Sequence, residues 1–561
     1  MSQFPRKLRV GLLLNGPTVT AWHKRMLERI QASHYAEISL LIVDASHALE
    51  APPEAARSAS MPRRLRRLLT RPLIAFRNRL DRTGHLPDPF EPCSIDAIAA
   101  SAQTLSVMPE RKGVIDRFSS ADLEQIRGHD LDIIVRLGFR ILRGGILTVA
   151  RYGTWSFHHG DNREKRGLPP GFWEVYEGET SIGCVLQVLS DRLDGGLILA
   201  RTWSSVHLDS VARTNIGSYW KSLSLLPRQL EKLHRLGADR YFGETRAANS
   251  HPEFYSKPLY RDPGLLKQAA VWVSTTARSA LVRVQERLSG EQWAVLLSER
   301  VDQADSLWRF KRIVPPRDRI WADPFVIIRD NKLCIFVEEM EHAHMVGRIS
   351  VLQAGADGLF RSTTVIDNGT HLSFPFLLEL GDELYMIPES RATHCIPLYR
   401  CVSFPDQWER LPDLMSEVAA VDSVVHFHEG RWWLFTNIVE NPGASSNDEL
   451  FVFHADTFPT NQWTPHAANP VVSDVRSARA AGAIFQGSDG AWYRPSQDCS
   501  AKYGWRVNFN RIERLDAERY QETLMSRATP DWADDVNAVH TYNRYGNAQV
   551  FDASFTRWSW L

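Results

Sequence analysis

Five segments in the second half of the chain share one pattern, and this repeat constrains the fold more than any other feature. Each segment reads as a strand, a tight polar turn and a second strand. The segments span residues 322–340, 373–390, 421–438, 480–498 and 536–553. A repeat of about 50 to 60 residues with this content is typical of a β-propeller, in which each repeat forms one blade. The pattern therefore predicts an all-β, five-bladed propeller over residues 291–561, with residues 293–299 supplying a closing strand.

The first half of the chain has a different pattern of apolar residues. Residues 9–14 form a continuous apolar run, residues 18–31 have helical spacing, and residues 37–43 form a second apolar run. This order is typical of a βαβ unit with buried parallel strands. We therefore expect a multidomain chain that begins with a Rossmann-like α/β domain over residues 1–240, interrupted by a basic insertion at residues 45–105.

The bulk composition limits the functional classes. The chain has 561 residues, too many for a single core, and residues 241–290 are interpreted as a linker with one helix between the two domains. The 66 basic and 66 acidic side chains balance, so nothing in the charge indicates a nucleic-acid partner. The six cysteines show no paired spacing, which favours reduced thiols and a cytoplasmic location. The first apolar run is also too short for the core of a signal peptide.

The segment Arg63–Arg82 is rich in arginine and has no acidic residue before Asp81. One interpretation is an amphipathic basic helix that contacts a membrane surface or an anionic substrate. The other is a solvated insertion helix or arm that Pro72 breaks. The sequence leaves both interpretations open.

The stretch from residue 131 to residue 200 carries the polar residues that suit catalysis. A buried strand leads into Leu137–Leu142 (LGFRIL), a second strand ends in Ser156-Phe157-His158, and a Gly-rich turn contains Asp194. Open α/β sheets bind ligands at the carboxyl ends of their strands. In this order the three motifs resemble the folate-dependent formyltransferase family, which includes methionyl-tRNA, glycinamide ribonucleotide and sugar N-formyltransferases.

The resemblance implies how such a site would work. An amine attacks the formyl carbon of the co-substrate 10-formyltetrahydrofolate, and the oxyanion that forms needs a hydrogen-bond donor. His158 is implied as the group that moves the proton or stabilises the oxyanion, and Asp194 as the residue that orients it. Ser156 stands where the family has Asn, so either its hydroxyl donates or a neighbour, His159 or Asn162, takes over.

The resemblance also locates the cofactor. The family holds the pterin ring largely through backbone groups of the LGFRIL segment. The implied cofactor-binding residues are therefore Arg136, Leu137, Gly138, Phe139 and Arg140. No further metal-ligand spacing accompanies the two histidines, and we expect no metal site.

The second half resembles the five-bladed propellers of glycoside hydrolase family 43. It is still more similar to the propeller domain of plant glucosamine inositolphosphorylceramide transferases. The acidic residues on its predicted inner strands are Asp323, Glu339, Glu389 and Asp422, of which Asp323, Glu389 and Asp422 are candidate substrate-binding residues. A glycosidase needs two carboxylates that flank the scissile bond, but Gln497 and Asp498 stand where the hydrolases have a later acidic motif. Glycosidase activity, sugar binding and a scaffold role stay open.

Together the two resemblances imply a formyltransferase that acts in polysaccharide biosynthesis. It would transfer a formyl group from 10-formyltetrahydrofolate to an amine on an amino sugar of a glycan, nucleotide sugar or glycolipid. One alternative is a hydrolase of formyl groups or glycosides. The other is a non-catalytic carbohydrate-binding protein with a decayed formyltransferase fold.

Overall fold

The computed structural model describes most of the chain and divides it into two compact units. Unit 1 comprises Met1–Ala277 with Asn441–Ala444, and unit 2 comprises Arg278–Glu440 with Ser445–Leu561. The described residues are 6–46, 86–193, 195–251, 253–255, 257, 259–300 and 306–558. The expectations about Arg63–Arg82 and Asp194 concern residues outside these ranges. The three-part division inferred from the sequence, with boundaries at residues 240 and 290, stays a prediction.

Unit 1 combines strands and helices. Its strands are β1 (Leu8–Leu14), β2 (Thr18–Thr20), β3 (Ala36–Asp44), β4 (Pro92–Ser94), β5 (Gln103–Val107), β6 (Glu110–Lys112), β7 (Ile115–Arg117), β8 (Ile133–Arg136), β9 (Ile141–Leu142), β10 (Thr154–His158), β11 (Ser181–Val188) and β12 (Leu197–Ser205). Its helices are α1 (Ala21–Gln31), α2 (Asp96–Ala99), α3 (Ser120–Arg127), α4 (Phe172–Glu177), α5 (Val211–Ser222), α6 (Leu225–Leu236) and α7 (Ala238–Ala248). A longer helix, α8 (Leu265–Leu288), follows and contains the division between the units.

The main sheet of unit 1 has the strand order β12-β11-β10-β8-β1-β3-β5. Strands β5, β3, β1, β8 and β10 run parallel, whereas β11 and β12 continue the sheet antiparallel. Both faces are covered, because Leu12 belongs to an apolar cluster with Trp22 of α1 while Leu13 belongs to a second cluster with Ile126 of α3. Burial on both faces explains why β1 reads as an unbroken apolar run.

Three parallel strands of unit 1 end at the same edge of the sheet. Strand β1 ends at Leu14, β8 at Arg136 and β10 at His158. The turn after β8 packs closely on the end of β1, because a Cβ added to Gly138 would lie 2.6 Å from Asn15 Oδ1 and 2.9 Å from the Leu14 carbonyl carbon. The backbone N–H of Phe139 donates to Asn15 Oδ1 at 2.7 Å. The side chains at this edge are therefore held by tightly packed backbone.

Unit 2 is built from strands. They are β13 (Ser289–Ser298), β14 (Lys311–Ile313), β15 (Arg319–Arg329), β16 (Lys332–Glu341), β17 (Gly347–Ala354), β18 (Phe360–Ile366), β19 (Ser373–Leu380), β20 (Glu383–Glu389), β21 (Cys395–Ser403), β22 (Gln407–Ser416), β23 (Ala420–His428), β24 (Arg431–Ile438), β25 (Leu450–Ala455), β26 (Thr464–Pro465), β27 (Phe485–Gln486), β28 (Trp492–Asp498), β29 (Arg506–Leu515), β30 (Tyr520–Ala528), β31 (Val536–Ala538), β32 (Tyr542–Tyr545) and β33 (Ala548–Trp558). Short 3₁₀ turns lie at Leu307–Arg309 and Arg391–Thr393.

Among the described residues, these strands form five sheets. Four sheets contain consecutive strands, β15–β18, β19–β22, β23–β26 and β27–β30. The fifth contains β14, β13, β33, β31 and β32, and in it β13 pairs antiparallel with β33. Its strands therefore come from both ends of the unit.

The first strand of several sheets is interrupted at the same place. Pairing skips two residues at Asp323, Phe374 and Asp422, and these residues have φ of 50°, 44° and 48°. Such bulges redirect a side chain that would otherwise follow the alternation of the strand. They place Asp323 and Asp422 in the site described below.

Apolar clusters lie between neighbouring sheets of unit 2. For example, one cluster joins Val295 and Val550 of the fifth sheet to Trp321 and Ile335 of the first. The expectation of an α/β N-terminal region and an all-β C-terminal region with several sheets is thus confirmed. None of the described helices combines the length and the apolar character that crossing a membrane requires.

Candidate functional site

Three acidic residues predicted from the sequence come together in unit 2. Asp323, Glu389 and Asp422 lie on β15, β20 and β23, which belong to three different sheets. We call the group that surrounds them the carboxylate cluster. Its members are Asp323, Glu338, Glu389, Asp422, Arg479, Gln497, His540 and Asp552.

Asp323 is buried and fully hydrogen-bonded. Its Oδ1 accepts from Thr541 Oγ1 at 2.7 Å and lies 3.2 Å from His540 Nε2, while its Oδ2 accepts from the Phe374 N–H at 3.2 Å. Burial alone would raise the pKa of Asp323, but His540 and the hydroxyl of Thr541 lower it below its usual value. This carboxylate therefore stays ionised and is a poor proton acceptor.

His540 lies between two carboxylates. Its Nδ1 is 2.7 Å from Asp552 Oδ2, and its Nε2 faces Asp323. Burial would lower the pKa of His540, but Asp552 and Asp323 raise it well above its usual value. The ligand atoms of these three residues lie within 4.8 Å of one another, close enough to share a metal ion. The two carboxylates favour the charged imidazolium, which forms an ion pair with each of them.

Asp422 and Glu389 share one guanidinium. Arg479 Nε donates to Asp422 Oδ2 at 2.7 Å, and its Nη2 lies 3.5 Å from Glu389 Oε2. Gln497 Nε2 also donates to Asp422 Oδ2 at 3.3 Å. Burial and the adjacent charge of Asp422 raise the pKa of Glu389 well above its usual value. Glu389 therefore keeps its proton at neutral pH.

The inner carboxylate of β16 is Glu338 and not Glu339. Burial and the charge of Asp323 raise the pKa of Glu338 to about 8. Glu339, which was expected on this face, instead accepts hydrogen bonds from Arg319 at 2.9 Å and from Ser350 at 2.6 Å. Successive side chains of a strand point to opposite faces, so an error of one residue in the predicted phase moves a carboxylate out of the cluster.

Sequence reasoning missed Arg479, His540 and Asp552. A signal for His540 does exist in the repeat. Strand pairing resumes two residues after Asp323 and two residues after Asp422, and β32 likewise begins two residues after His540. An alignment of the five segments on their bulges would have placed His540 beside the two aspartates.

Two predicted catalytic residues of unit 1, Ser156 and His158, make short contacts with neighbouring groups. Ser156 Oγ accepts from Arg136 Nη1 at 3.0 Å, and His158 Nε2 lies 2.9 Å from the Lys165 carbonyl oxygen. Arg136, His158 and the neighbouring Gln187 line one cavity. The structure thus places Ser156 and His158 at the carboxyl edge of the sheet, while Asp194 lies outside the described residues.

His159 and Asn162 are buried to different degrees. The His159 ring stacks on Tyr219 at a centroid distance of 3.7 Å and meets the edge of Trp22 at 5.3 Å. Burial lowers the pKa of His159 to about 3, so its ring is neutral. His159 therefore acts as an aromatic packing residue.

Asn162 is only 3% exposed, and its Oδ1 has no hydrogen-bond partner among the described residues.

The segment expected to bind the cofactor is occupied by internal contacts. Arg140 Nε donates to Asp116 Oδ1 at 2.9 Å and its Nη1 donates to the Gly113 carbonyl at 2.7 Å. Phe139 is buried and packs on Phe118 at 5.3 Å. Leu137 and Gly138 hydrogen-bond through their backbone N–H groups to the Leu13 carbonyl of β1.

Comparison with known families identifies the C-terminal region. Residues 315–558 match the family described as "Glucosamine inositolphosphorylceramide transferase 1, N-terminal". A glucosamine inositolphosphorylceramide transferase 1 from Oryza sativa subsp. japonica is 34% identical over 206 residues, which is 36% of this chain and 27% of the relative. The protein of the same name from Arabidopsis thaliana is 35% identical over 205 residues, 36% of this chain and 26% of the relative. The expected resemblance to these plant proteins is confirmed for the C-terminal region.

The chain spans about a quarter of the length of these curated relatives. Solved structures with some likeness include a family GH43 β-1,3-galactosidase with galactodeoxynojirimycin, at 12% identity and a TM-score of 0.30 over 40% of this chain and 85% of that chain. Another is glycinamide ribonucleotide transformylase 1 from Symbiobacterium toebii, at 14% identity and a TM-score of 0.24 over 43% of this chain and 89% of that chain. Both TM-scores lie below 0.5, too low to establish a shared fold.

These relatives overturn the expected activity. Their name describes a transferase of glucosamine and inositolphosphorylceramide, so the predicted formyltransferase activity and the co-substrate 10-formyltetrahydrofolate are wrong. The physical weakness of the formyl hypothesis is at Ser156, because its hydroxyl already donates to the Phe157 carbonyl oxygen at 3.2 Å.

The expected cytoplasmic location is also wrong, because it disagrees with the lipid named in these relatives. The molecule in their name, inositolphosphorylceramide, is a lipid and therefore belongs to a membrane. The prediction rested on unpaired cysteines and on the short first apolar run, and neither feature reports where a lipid-directed transferase works.

Proposed function

We propose that unit 2 is a five-bladed propeller with the carboxylate cluster where its inner strands converge. Three observations support this architecture. The described strands form five sheets, neighbouring sheets share apolar clusters, and β13 pairs with β33 so that the two ends of the unit meet in one sheet. Closure of this kind protects the edges of the first and last blades of a ring.

We infer that the chain acts in glycosyl transfer to an inositol-bearing lipid, and that the carboxylate cluster binds the transferred sugar. The observation that carries this proposal is the convergence of Asp422, Glu389 and Arg479 within the region that matches the transferase family. Sugar hydroxyls need both donors and acceptors, and the cluster offers a protonated Glu389 and the guanidinium of Arg479 beside the Asp422 carboxyl group. The ammonium group of glucosamine would also be attracted to these carboxylates.

An aromatic ring stands beside these polar groups. Tyr503 is 46% exposed, and its ring lies 4.9 Å from the Arg479 guanidinium and 5.5 Å from the His540 ring. An exposed ring next to buried polar groups suits a ligand with one apolar face and one polar edge, which is the character of a pyranose. Tyr503 therefore supports a saccharide as the ligand of the cluster.

Glu389 is the proposed proton donor of the reaction. In glycosyl transfer, the bond from the anomeric carbon to the leaving oxygen breaks while a bond to the acceptor oxygen forms. Glu389 would give its proton to the leaving oxygen, and the acceptor hydroxyl would release a proton that restores the carboxyl group. Its side chain is 10% exposed, more than the 3% of Asp422, so a bound sugar can reach it.

The test is a transfer assay with an activated glucosamine donor, labelled in the sugar, and inositolphosphorylceramide in detergent. We expect the wild-type chain to label the lipid. Glu389→Gln keeps the neutral, hydrogen-bonding form of the side chain but cannot transfer a proton, so kcat should fall by roughly 10²-fold or more while KM changes little. The matched control is Glu429→Gln. Glu429 lies in the turn between β23 and β24, and its side chain is 79% exposed.

Two outcomes would overturn the proposal. One is a wild-type chain that binds the lipid but transfers no labelled sugar to it from any activated glucosamine donor. The other is a Glu389→Gln variant that labels the lipid at the rate of Glu429→Gln, which would remove the cluster from the chemistry.

A further inference from the structure

A second cavity, within unit 1, is left without a role by the proposed function. It lies at the carboxyl edge of the sheet and encloses about 470 Å³ including its open mouth. Its polar lining comprises Arg136, Arg143, His158, Gln187, Ser190 and Arg192. Arg136 ends β8 and His158 ends β10, so the cavity occupies the position at which open α/β sheets bind ligands.

The described residues that line this cavity include basic side chains and no acidic one. Arg136, Arg143 and Arg192 carry positive charge, and none of the described lining residues is acidic. The three guanidinium groups come from separate segments, at the end of β8, after β9 and after β11. Arginines from different segments around one cavity suit an oxyanion with several oxygens, and phosphate is the common biological one.

Arg136 is fixed in place. It is half-buried, and its Nη1 donates to Ser156 Oγ at 3.0 Å, which orients the fork toward the end of β10. Arg192 is exposed at the mouth. The cavity therefore combines one arginine held by the fold with another that can close on a ligand.

Gln187 adds a requirement that phosphate alone does not meet. It is 3% exposed and lines the cavity, and its Oε1 has no hydrogen-bond partner among the described residues. A buried acceptor without a partner costs free energy, so a ligand with a hydroxyl donor next to its anionic group would relieve it. A phosphorylated polyol has both features.

We propose that the cavity of unit 1 binds a phosphorylated polyol, with Arg136 and Arg192 holding the phosphate and Gln187 accepting from an adjacent hydroxyl. This site is separate from the carboxylate cluster and does not depend on the chemistry proposed there. It also gives Ser156 and His158 a role, since Ser156 positions Arg136 and His158 lines the same cavity.

The test is calorimetric titration of the full chain at low and moderate salt. The probes are sn-glycerol 3-phosphate, inorganic phosphate and glycerol. We expect glycerol 3-phosphate to bind, phosphate to bind more weakly and glycerol not to bind. Removing one charge-assisted contact in Arg192→Gln should weaken binding roughly tenfold or more, and Arg136→Gln should do so at least as strongly.

The control is Arg127→Gln, an exposed arginine at the end of α3 that pairs with Glu124. It should bind glycerol 3-phosphate as the wild type does, and so should Glu389→Gln in unit 2. Arg192 lies on the surface, so its variant tests the site even if Arg136→Gln fails to fold. Absence of binding by the wild type, or equal affinities for Arg192→Gln and Arg127→Gln, would overturn the proposal.

Discussion

Individual side chains of the carboxylate cluster hold protons that ordinary carboxyl groups lose. Burial and the charge of Asp323 raise the pKa of Glu338 from 4.5 to about 8. The folded chain therefore keeps a proton on Glu338 that the unfolded chain releases above pH 4.5. Stability contributed by that proton is present at low pH and is lost as the pH rises from about 4.5 to about 8.

Glu338→Gln should remove this pH dependence. We expect the free energy of unfolding of the wild type to fall, relative to that of Glu338→Gln, by up to about 1.4 kcal/mol per pH unit between pH 5 and pH 8. Urea denaturation at a series of pH values measures the difference. Glu429→Gln, at an exposed carboxylate, is the control and should run parallel to the wild type. Parallel curves for Glu338→Gln would show that Glu338 is ionised in the folded chain.

Arg479 neutralises Asp422 in the interior. Arg479→Leu would leave a buried carboxylate without its partner, and we expect a loss of about 3–5 kcal/mol in the free energy of unfolding. Arg361→Leu breaks an exposed pair with Asp357 and should cost much less, because water screens that pair. Equal losses in the two variants, measured by denaturant titration, would contradict the buried charge pair.

At the residue scale the sequence predicts the acidic members of the cluster better than their partners. Asp323, Glu389 and Asp422 were identified because each stands in a repeated segment. Arg479 and His540 escaped, because a search for carboxylates does not find the cations that neutralise them. The choice of Glu339 over Glu338 failed for a different reason, since apolar runs locate a strand but fix its phase only where the two faces differ.

Among the elements, the turn after β8 is the most tightly constrained part of unit 1. Gly138→Ala would bring a Cβ within 2.6 Å of Asn15 Oδ1 and 2.9 Å of backbone at Leu14. We expect a loss of about 1–3 kcal/mol in the free energy of unfolding. The control is Gly16→Ala, because a Cβ at Gly16 meets nothing within 4 Å. Equal stabilities, measured by denaturant titration, would contradict this packing.

The elements themselves were largely predictable. The apolar run at residues 9–14 became β1, and the second run at residues 37–43 lies within β3, because strands buried on both faces have an unmistakable composition. What the sequence could not predict is the antiparallel extension by β11 and β12. Strand order depends on contacts between distant segments, and no local pattern reports it.

For the whole molecule, the ring closure that we propose for unit 2 depends on β13. Leu296 of this strand is 1% exposed and belongs to a cluster with Phe551 and Val507. Leu296→Ala should lower the free energy of unfolding of unit 2 by about 2–5 kcal/mol. Leu380→Ala, at a site 37% exposed, is the control and should cost much less. Equal losses in the free energy of unfolding would show that β13 does not stabilise unit 2 in this way.

The functional error of sequence reasoning arose at the scale of the molecule. Three ordered motifs located the carboxyl edge of the sheet in unit 1, where a cavity is found. They did not determine its chemistry, because one side chain, Arg136, changes the charge beside Ser156. The C-terminal repeat was the better guide to function, since it led to the family that residues 315–558 match.

Saturation-transfer NMR of glucosamine with the full chain shows whether the carboxylate cluster binds the sugar. We expect saturation of the sugar resonances by the wild type and loss of that signal in Tyr503→Ala, while Asp456→Asn, at a carboxylate 87% exposed, keeps it. Undiminished saturation in folded Tyr503→Ala, or the absence of any signal with the wild type, would show that the carboxylate cluster does not bind the sugar.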